Sequence, residues 1–446
     1  MTPPAPASGL AGLDDERAGW AESAWAEISR KRLRELVTGL VDIASPTGDE
    51  AAVARHAAQV LGESGLEARV VEIDERQANA AARLRGRGHG PDLLLYAPID
   101  TLTVGEATED VPWIGPELRA DMQPRAQLSG DLVLGLGAGN PKGHAACVMA
   151  AAEAIARAGV PLEGDLLVGL GAGGMPTNAR PSSGRRNTGQ GAGCSFLLEQ
   201  GWWTDFAVIA KPGWAVSWEE VGLAWFDVTV HGTHTYVGSR HLMPYRNAVA
   251  DAGRVAAALE DWFPVYAARH RDGLVEPQGI VAAVEGGWMR MAAVTPAACR
   301  LRVDLRISPR TTPAQAKREF GAALAHVREQ LPAVELDWEM VLAIPGTSTD
   351  AGSWVCRSAI AAWEAIAGRE HQPPTGMSGA TDANILRGRG IPTARVGMPK
   401  VTEAYTPVDF ALGMNSVDVR QMELLTRLLV RVVVDTVTRT TAEVGR

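Results

Sequence analysis

No apolar stretch in this sequence approaches the roughly 18 residues that a membrane-crossing helix needs, so no spanning helix is expected. Nor is there a surplus of positive charge. Forty-three Lys and Arg stand against 52 Asp and Glu, a formal net charge of −9. Phosphate neutralisation needs the opposite balance, which excludes a general nucleic-acid binder. Cysteine is scarce: Cys147, Cys194, Cys299 and Cys356 lie far apart with no C-x-x-C pair. That excludes a disulfide frame or zinc knuckle and fits free, buried thiols in a reducing cytoplasm. The start, Met1 to Arg17, has no basic end followed by an apolar stretch, so a secretory leader is not expected. What is present is ordinary for a globular protein: 446 residues, 46% hydrophobic and 21% charged, enough for two or three domains.

Residues 1–12 are rich in Pro, Ala, Ser and Gly and are expected to be disordered. From Leu13 to Ala44, apolar residues recur at three- and four-residue steps, a helical period. Ser45-Pro46-Thr47-Gly48 ends it, and Thr47 three residues before Glu50 has the spacing of a capping box for a helix reaching Gly62. Leu66–Val71, Asp92–Tyr96 and Asp165–Leu170 read as strands, and Gly143–Ala158 as an unbroken helix. Gly171–Gly193, dense in Gly, Pro, Ser, Asn and Arg, reads as a long loop of functional or mobile character. Residues 218–342 then form a separate βαββαβ unit of strands 224–230, 279–284, 298–307 and 334–338 and helices 246–262 and 312–330, the ferredoxin-like order. The α/β pattern returns with 354–366, 393–396 and 417–437. The expected fold is therefore α/β. A discontinuous, mixed-sheet catalytic-type domain (1–217 and 343–446) is interrupted by a smaller βαββαβ domain (218–342).

Several ordered segments then carry a resemblance: Ile43–Glu50, Leu95-Tyr96-Ala97-Pro98-Ile99-Asp100, Gly135–Gly143, Gly232 through Asn247-Ala248, Asp304-Leu305-Arg306, Ser378–Ala383 and Gly390–Thr393. From about Leu33 to Val437 the chain resembles the zinc-dependent aminoacylase, carboxypeptidase and acetylornithine/succinyl-diaminopimelate deacylase family. The resemblance implies a hydrolase-type fold with two zinc ions bridged by water and a carboxylate, a chemistry that needs His, carboxylate or thiolate ligands. Carried over residue by residue, the family's ligands fall on other chemistry. The His of its H-x-D pair falls on Pro98, leaving only Asp100. The bridging Asp falls on Asn140. The Glu-Glu pair falls near Gly173-Gly174, in a stretch, Gly164 to Gly193, without any Glu. The next acid falls on Lys211, the last His on Tyr405, and the small domain's substrate-facing His on Tyr236. The resemblance so read implies that no di-zinc site is built and that no metal or other cofactor is used.

Asp100, His144, Lys211, Tyr405 and Tyr236 are the candidate catalytic residues. Lys211 would clamp a carboxylate or carbonyl or act as a base, and Asp100 would act as a base or pair with Lys211. A plain Asp100–Lys211 salt bridge filling the old metal space is the bland alternative. His144 is an acid/base candidate at a helix start, or a capping or packing residue. The two tyrosines would donate to an oxyanion or merely fill space. Asn140, Asn384, Glu403, His234 and Arg290 are the candidate substrate contacts. His231 and His234 would point to opposite faces of an extended segment and are read as structural or solvated. Arg306 reads as structural, Arg246 as a further basic residue of the small domain, and Arg180, Arg185 and Arg186 as loop residues that would close over an anion or stay in solvent.

The leading expectation is a metal-independent hydrolase-like enzyme acting on a small amide-, amidine- or imine-like substrate by acid/base chemistry. A pseudoenzyme that binds a metabolite or a partner protein is the alternative. A zinc hydrolase with rearranged ligands drawn from His144, His231, His234, His241 and Glu403 is a weaker one. A small-molecule substrate, no nucleic acid, no membrane, a cytoplasmic location and, from the resemblance, a homodimer formed through the small domain complete the expectations.

Overall fold

The computed structural model describes residues 9–399, 401 and 410–446 of the chain. It divides into two compact units, one of residues 1–218, 349–373 and 381–446, the other of residues 219–348 and 374–380. The second unit thus runs six residues past 342 and takes in a short later segment.

In the first unit a six-stranded sheet runs in the order Glu67–Glu72, Ala78–Leu84, Leu166–Gly171, Leu93–Pro98, Phe206–Ala210, Thr393–Val396. The first two strands are antiparallel to their neighbours and the other four are mutually parallel. The parallel strands are apolar on both faces because both faces are covered. Leu93, Leu95 and Ala97 point to one side, with Leu166, Val168 and Leu170, under the long helices Arg30–Val41, Ala51–Glu63, Lys142–Ala158, Trp354–Ala367 and Val419–Val437. Leu94, Tyr96, Leu167 and Ile209 point to the other, packed with Cys194, Leu197, Leu386 and Ile391 around the short helices Ala192–Glu199 and Ala383–Gly388.

The second unit holds a four-stranded antiparallel sheet in the order Gly279–Gly286, Ala298–Ile307, Gly222–His231, Leu336–Ile344. Helices Ala248–His270 and Pro313–Gln330 supply the two α elements of the βαββαβ order. Ala224, Phe226, Val228 and Val230 alternate inward on the central strand, and Phe226 stacks on Phe320 at 4.1 Å between ring centres. Thr312 and Gln315 form a reciprocal capping box at the start of the second helix.

Four local expectations change. The Leu13–Ala44 helix is two helices, Asp15–Ala26 and Arg30–Val41, because Ser29 turns extended and caps the second with its side chain. The strands Ala78–Leu84 and Phe206–Ala210 escape period-2 reading, since they are buried on both faces and have no alternation to show. The Ala248–His270 helix passes through Pro264 instead of ending at Trp262, held by buried Leu259, Phe263, Tyr266 and Ala267. Finally, Thr47 and Glu50 do not cap the Ala51–Glu63 helix: that end has no side-chain cap. Both side chains turn to the carboxyl ends of the strands, where ligands bind in open α/β sheets.

Candidate functional site

Asp100 follows the Leu93–Pro98 strand and is completely buried. Its Oδ1 accepts the Gly174 amide at 2.8 Å, and its Oδ2 accepts the Met175 amide at 3.1 Å and the Thr47 hydroxyl at 2.6 Å. Burial raises its pKa, while the Thr47 hydrogen bond, the Lys211 charge and the two amides oppose the rise. Glu50 is equally buried. Its Oε1 accepts the amides of Gly48 and Gly173, each at 2.9 Å. Burial, and then the negative charge of Asp100, push its carboxyl up to about 8.

Both carboxylates hang on the loop that leaves the Leu166–Gly171 strand, and glycine makes this possible. Gly173 has φ +61, and a Cβ on Gly174 would lie 2.4 Å from the Pro98 Cβ. Lys211, at the end of the Phe206–Ala210 strand, is 5% exposed and places Nζ 3.9 Å from the Met175 sulfur. The same residue thus feeds Asp100 with its amide and faces Lys211 with its side chain. His144, in the first turn of the Lys142–Ala158 helix, is also buried. Burial and the Lys211 charge, against a hydrogen bond to the Gly139 backbone and with the Arg395 charge adding to them, bring its pKa down to about 3. The imidazole is therefore neutral at physiological pH, a hydrogen-bonding group and a poor proton acceptor.

Asp100 and His144 thus each feel the charge of Lys211. Asn140 lies just before the same helix, half-buried. Its Nδ2 donates to the Met414 sulfur at 3.3 Å, and among the described residues its Oδ1 has no partner. Asn384 is buried in the short Ala383–Gly388 helix, which follows Asp382. Tyr236, His234 and Arg290 lie in the second unit. Tyr236 is exposed, His234 Nδ1 lies 2.8 Å from the Thr295 carbonyl, and Arg290 lies over the Trp288 ring at 4.1 Å. His231 contacts Asp337 at 2.9 Å, Arg246 pairs with Asp251, and Arg306 pairs with Asp304. Tyr405 and Glu403 fall outside the described residues.

Three buried groups at this end of the sheet escaped sequence reading. Lys142, completely buried, donates from Nζ to the Ile43 carbonyl at 2.7 Å, and burial brings its pKa down to about 7 against the countering charges of Asp42 and Asp100. Glu50 was hidden by its capping-box spacing. Tyr96, inside a strand, donates to Asp382 at 2.6 Å and ties the Ala383–Gly388 helix to the sheet. The signal for Lys142 is its place just before Ala145-Ala146-Cys147-Val148, a run of small and apolar residues suited to the core. Two arginines of the glycine-rich loop bind the unit's own carboxylates. Arg180 pairs with Asp49 and Glu106, and Arg185 with Asp74 and the Gly48 carbonyl.

A cavity of about 680 Å³ adjoins this end, lined among others by Thr101, Trp113, Leu136, Asn140, Phe410 and Met414. Among the described residues the donor set does not fit a zinc pair. Among the described residues no three His, Cys, Asp or Glu side chains gather to hold a metal ion. Asp100 and Glu50 already accept amide and hydroxyl hydrogens, and a lysine faces the same loop.

No protein-family profile matches the chain. Solved structures do. Human carnosine dipeptidase 1 matches with a TM-score of 0.71 at 11% identity, covering 95% of this chain and 99% of that one. Aminopeptidase PepT from Bacillus cereus matches with a TM-score of 0.61 at 16% identity, over 92% and 99% of the two chains. The M20 family metallo-carboxypeptidase Sso-CP2 from Sulfolobus solfataricus matches with a TM-score of 0.63 at 12% identity, over 91% and 98%. At these identities the likeness is one of fold, and the fold is that of the M20 peptidases: a mixed α/β unit with a separate smaller domain.

Proposed function

We propose that this chain is a metal-independent hydrolase of C–N bonds in a small amide-, amidine- or imine-like substrate. The observation that carries the reading is the group of buried ionisable side chains at the carboxyl ends of the parallel strands, two of them with proton affinities moved to the neutral range. Buried groups whose proton affinities are shifted this way are candidates for a reactive site. In this reading the ionised member of the Asp100–Glu50 pair takes a proton from water as the water oxygen bonds to the substrate carbon. Lys211 stabilises the negative charge that builds on the carbonyl oxygen. The protonated carboxyl gives its proton to the nitrogen as the C–N bond breaks, and neutral His144 holds the substrate by a hydrogen bond. Tyr236, Tyr405, Glu403, His234 and Arg290 are assigned no step.

One observation favours a second reading, a binding protein without turnover. Asp100 has three donors on its two oxygens and no exposure. A panel of small amides, amidines and imines, offered to protein treated with chelator and assayed for metal by elemental mass spectrometry, separates the two. The hydrolase reading expects turnover that survives chelation and falls about 100-fold in kcat/KM in Lys211→Met, the size of effect seen when an oxyanion donor is removed. Turnover that vanishes on chelation and returns with zinc would sink it. Ligand binding without turnover would support the second reading.

We further propose that the chain forms a homodimer through the second unit. Gly279–Gly286 is an edge strand, and Ile280 and Val284 on it are exposed, as are Trp288, Met289 and Met291 just beyond. An open apolar edge is a template for a second copy of itself. Light scattering is expected to give twice the 47.2 kDa chain mass, and Ile280→Lys with Val284→Lys is expected to give monomer. A monomeric parent protein would end the proposal. The four cysteines are free and buried, which supports a cytoplasmic location. Among the described residues no helix is long and apolar enough to cross a membrane.

A further inference from the structure

The glycine-rich stretch after the Leu166–Gly171 strand leaves and returns at one place. The Gly191 amide donates to the Gly173 carbonyl at 2.7 Å, and the Gln190 amide donates to the Met175 carbonyl at 3.1 Å. Residues 174–190 therefore form a surface loop whose two ends meet in a narrow neck. The base of the loop lies on the buried acids. The Gly173 amide donates to Glu50, and the Gly174 and Met175 amides donate to Asp100. The Met175 side chain is only 3% exposed.

The far side of the loop is held differently. Arg185 pairs with Asp74 and donates to the Gly48 carbonyl, while Arg180 lies 3.8 Å from Asp49 and 3.5 Å from Glu106. Water reaches these pairs: the Asp74 side chain is 43% exposed and that of Glu106 57%. Ion pairs in such places hold weakly, and salt weakens them further. The loop also carries strain. Asn187 and Gln190 have φ +56 and +54, left-handed values that residues with a Cβ rarely adopt. Releasing the loop would relieve that strain. At the neck, Gly173 and Gly191 have φ +61 and +83, values that glycine adopts without strain.

We propose that residues 174–190 are a strap, closed on Asp100 in this structure, that swings on Gly173 and Gly191 when the Arg180 and Arg185 ion pairs part. Closed, the strap occupies the Asp100 oxygens with its own amides. Open, it leaves those oxygens to water and to a ligand. The strap thus answers how an acid with no exposure can meet a substrate. It deepens the hydrolase reading, and rests on that reading only for what the opening admits.

The test reads opening at Met175, whose side chain has no part in the proposed reaction. The full chain is exposed to dilute hydrogen peroxide, and sulfoxide formation at each methionine is followed by peptide mass spectrometry. Met289, 99% exposed, sets the rate of an open methionine, and Met149, fully buried in the Lys142–Ala158 helix, reports loss of the whole fold. Met175 is expected to oxidise at a rate between the two. It should react about threefold faster at about 1 M than at about 0.01 M salt, as the screening length falls from about 30 to about 3 Å. In the double variant Arg180→Gln/Arg185→Gln it should react about tenfold faster than in the parent, with Met149 unchanged and the salt effect gone. Asp74→Asn removes one latch from the other side and keeps the oxygen that accepts the Arg76 and Gln77 amides. It is expected to give about a threefold rise. Met175 reacting no faster than Met149 in parent and variants, or a salt effect that persists in the double variant, would overturn the proposal. So would Met149 accelerating together with Met175, since the arginines would then stabilise the whole unit and latch nothing. Opening as expected in a protein that hydrolyses no amide would leave the strap standing and sink the hydrolase reading. Amide hydrolysis by a protein whose Met175 stays at the Met149 rate would do the reverse.

Discussion

Asp100→Ala is expected to cost about 3–5 kcal/mol of stability and all measurable turnover, because it removes a completely buried carboxylate that accepts three hydrogen bonds. Removing the carboxylate strands the Gly174 and Met175 amides and the Thr47 hydroxyl. The loop leaving the Leu166–Gly171 strand loses two of its anchors at once. Asp100→Asn separates the structural part from the chemical one. Its amide keeps one acceptor oxygen and loses the charge, so it is expected to cost about 1–2 kcal/mol, in the range of one hydrogen-bonded buried group. If Asp100 takes part in proton transfer, Asn still lowers kcat/KM at least 100-fold. If the residue only ties the loop, Asn retains most of the turnover. Urea unfolding midpoints and kinetics on the same two variants decide the matter.

How much of this was legible in the sequence follows from what each residue answers to. The βαββαβ unit was readable because its strands bury one face and expose the other, so period-2 alternation such as Phe226, Val228 and Val230 is printed in the chain, and Thr312 carries its cap locally. The doubly covered strands at 78–84 and 206–210 print no such period and stayed invisible. Asp100, Lys211 and His144 were reachable because each stands at the end of a strand or the start of a helix, inside a segment that resembles a known fold. Glu50 was misread for a physical reason. A Thr and a Glu three apart before a helix satisfy the local capping rule, and only the tertiary position of Gly173 and Asp100 offers both side chains something better. The cavity was out of reach altogether, since it is walled by residues from 101 to 415 that share no local pattern.

Glu50→Gln should make the protein more stable than the parent at pH 8 while leaving it nearly unchanged at pH 4.5. Glu50 has its pKa raised from an ordinary 4.5 to about 8 in the folded chain. Between those values the folded state holds a proton that the unfolded state has released, so stability falls as pH rises across that window. The glutamine has the shape of the protonated acid and never ionises, so the penalty disappears. In the parent this fall is masked. His144, lowered from 6.5 to about 3, makes stability rise with pH over that range, and Lys142, lowered from 10.5 to about 7, does so above neutrality. Both slopes are present in parent and variant alike and cancel in the difference. The variant's advantage should therefore grow from about pH 4.5, by at most about 1.4 kcal/mol per pH unit, and level off near pH 8. Urea midpoints at five or so pH values trace it. A difference that stays flat across the window would mean that Glu50 is ionised when folded, and the proton that the hydrolase reading assigns to the leaving nitrogen would have to come from elsewhere. A difference that grows as drawn, with turnover lost in the variant, would place a neutral carboxyl beside Asp100 at the pH where the enzyme works.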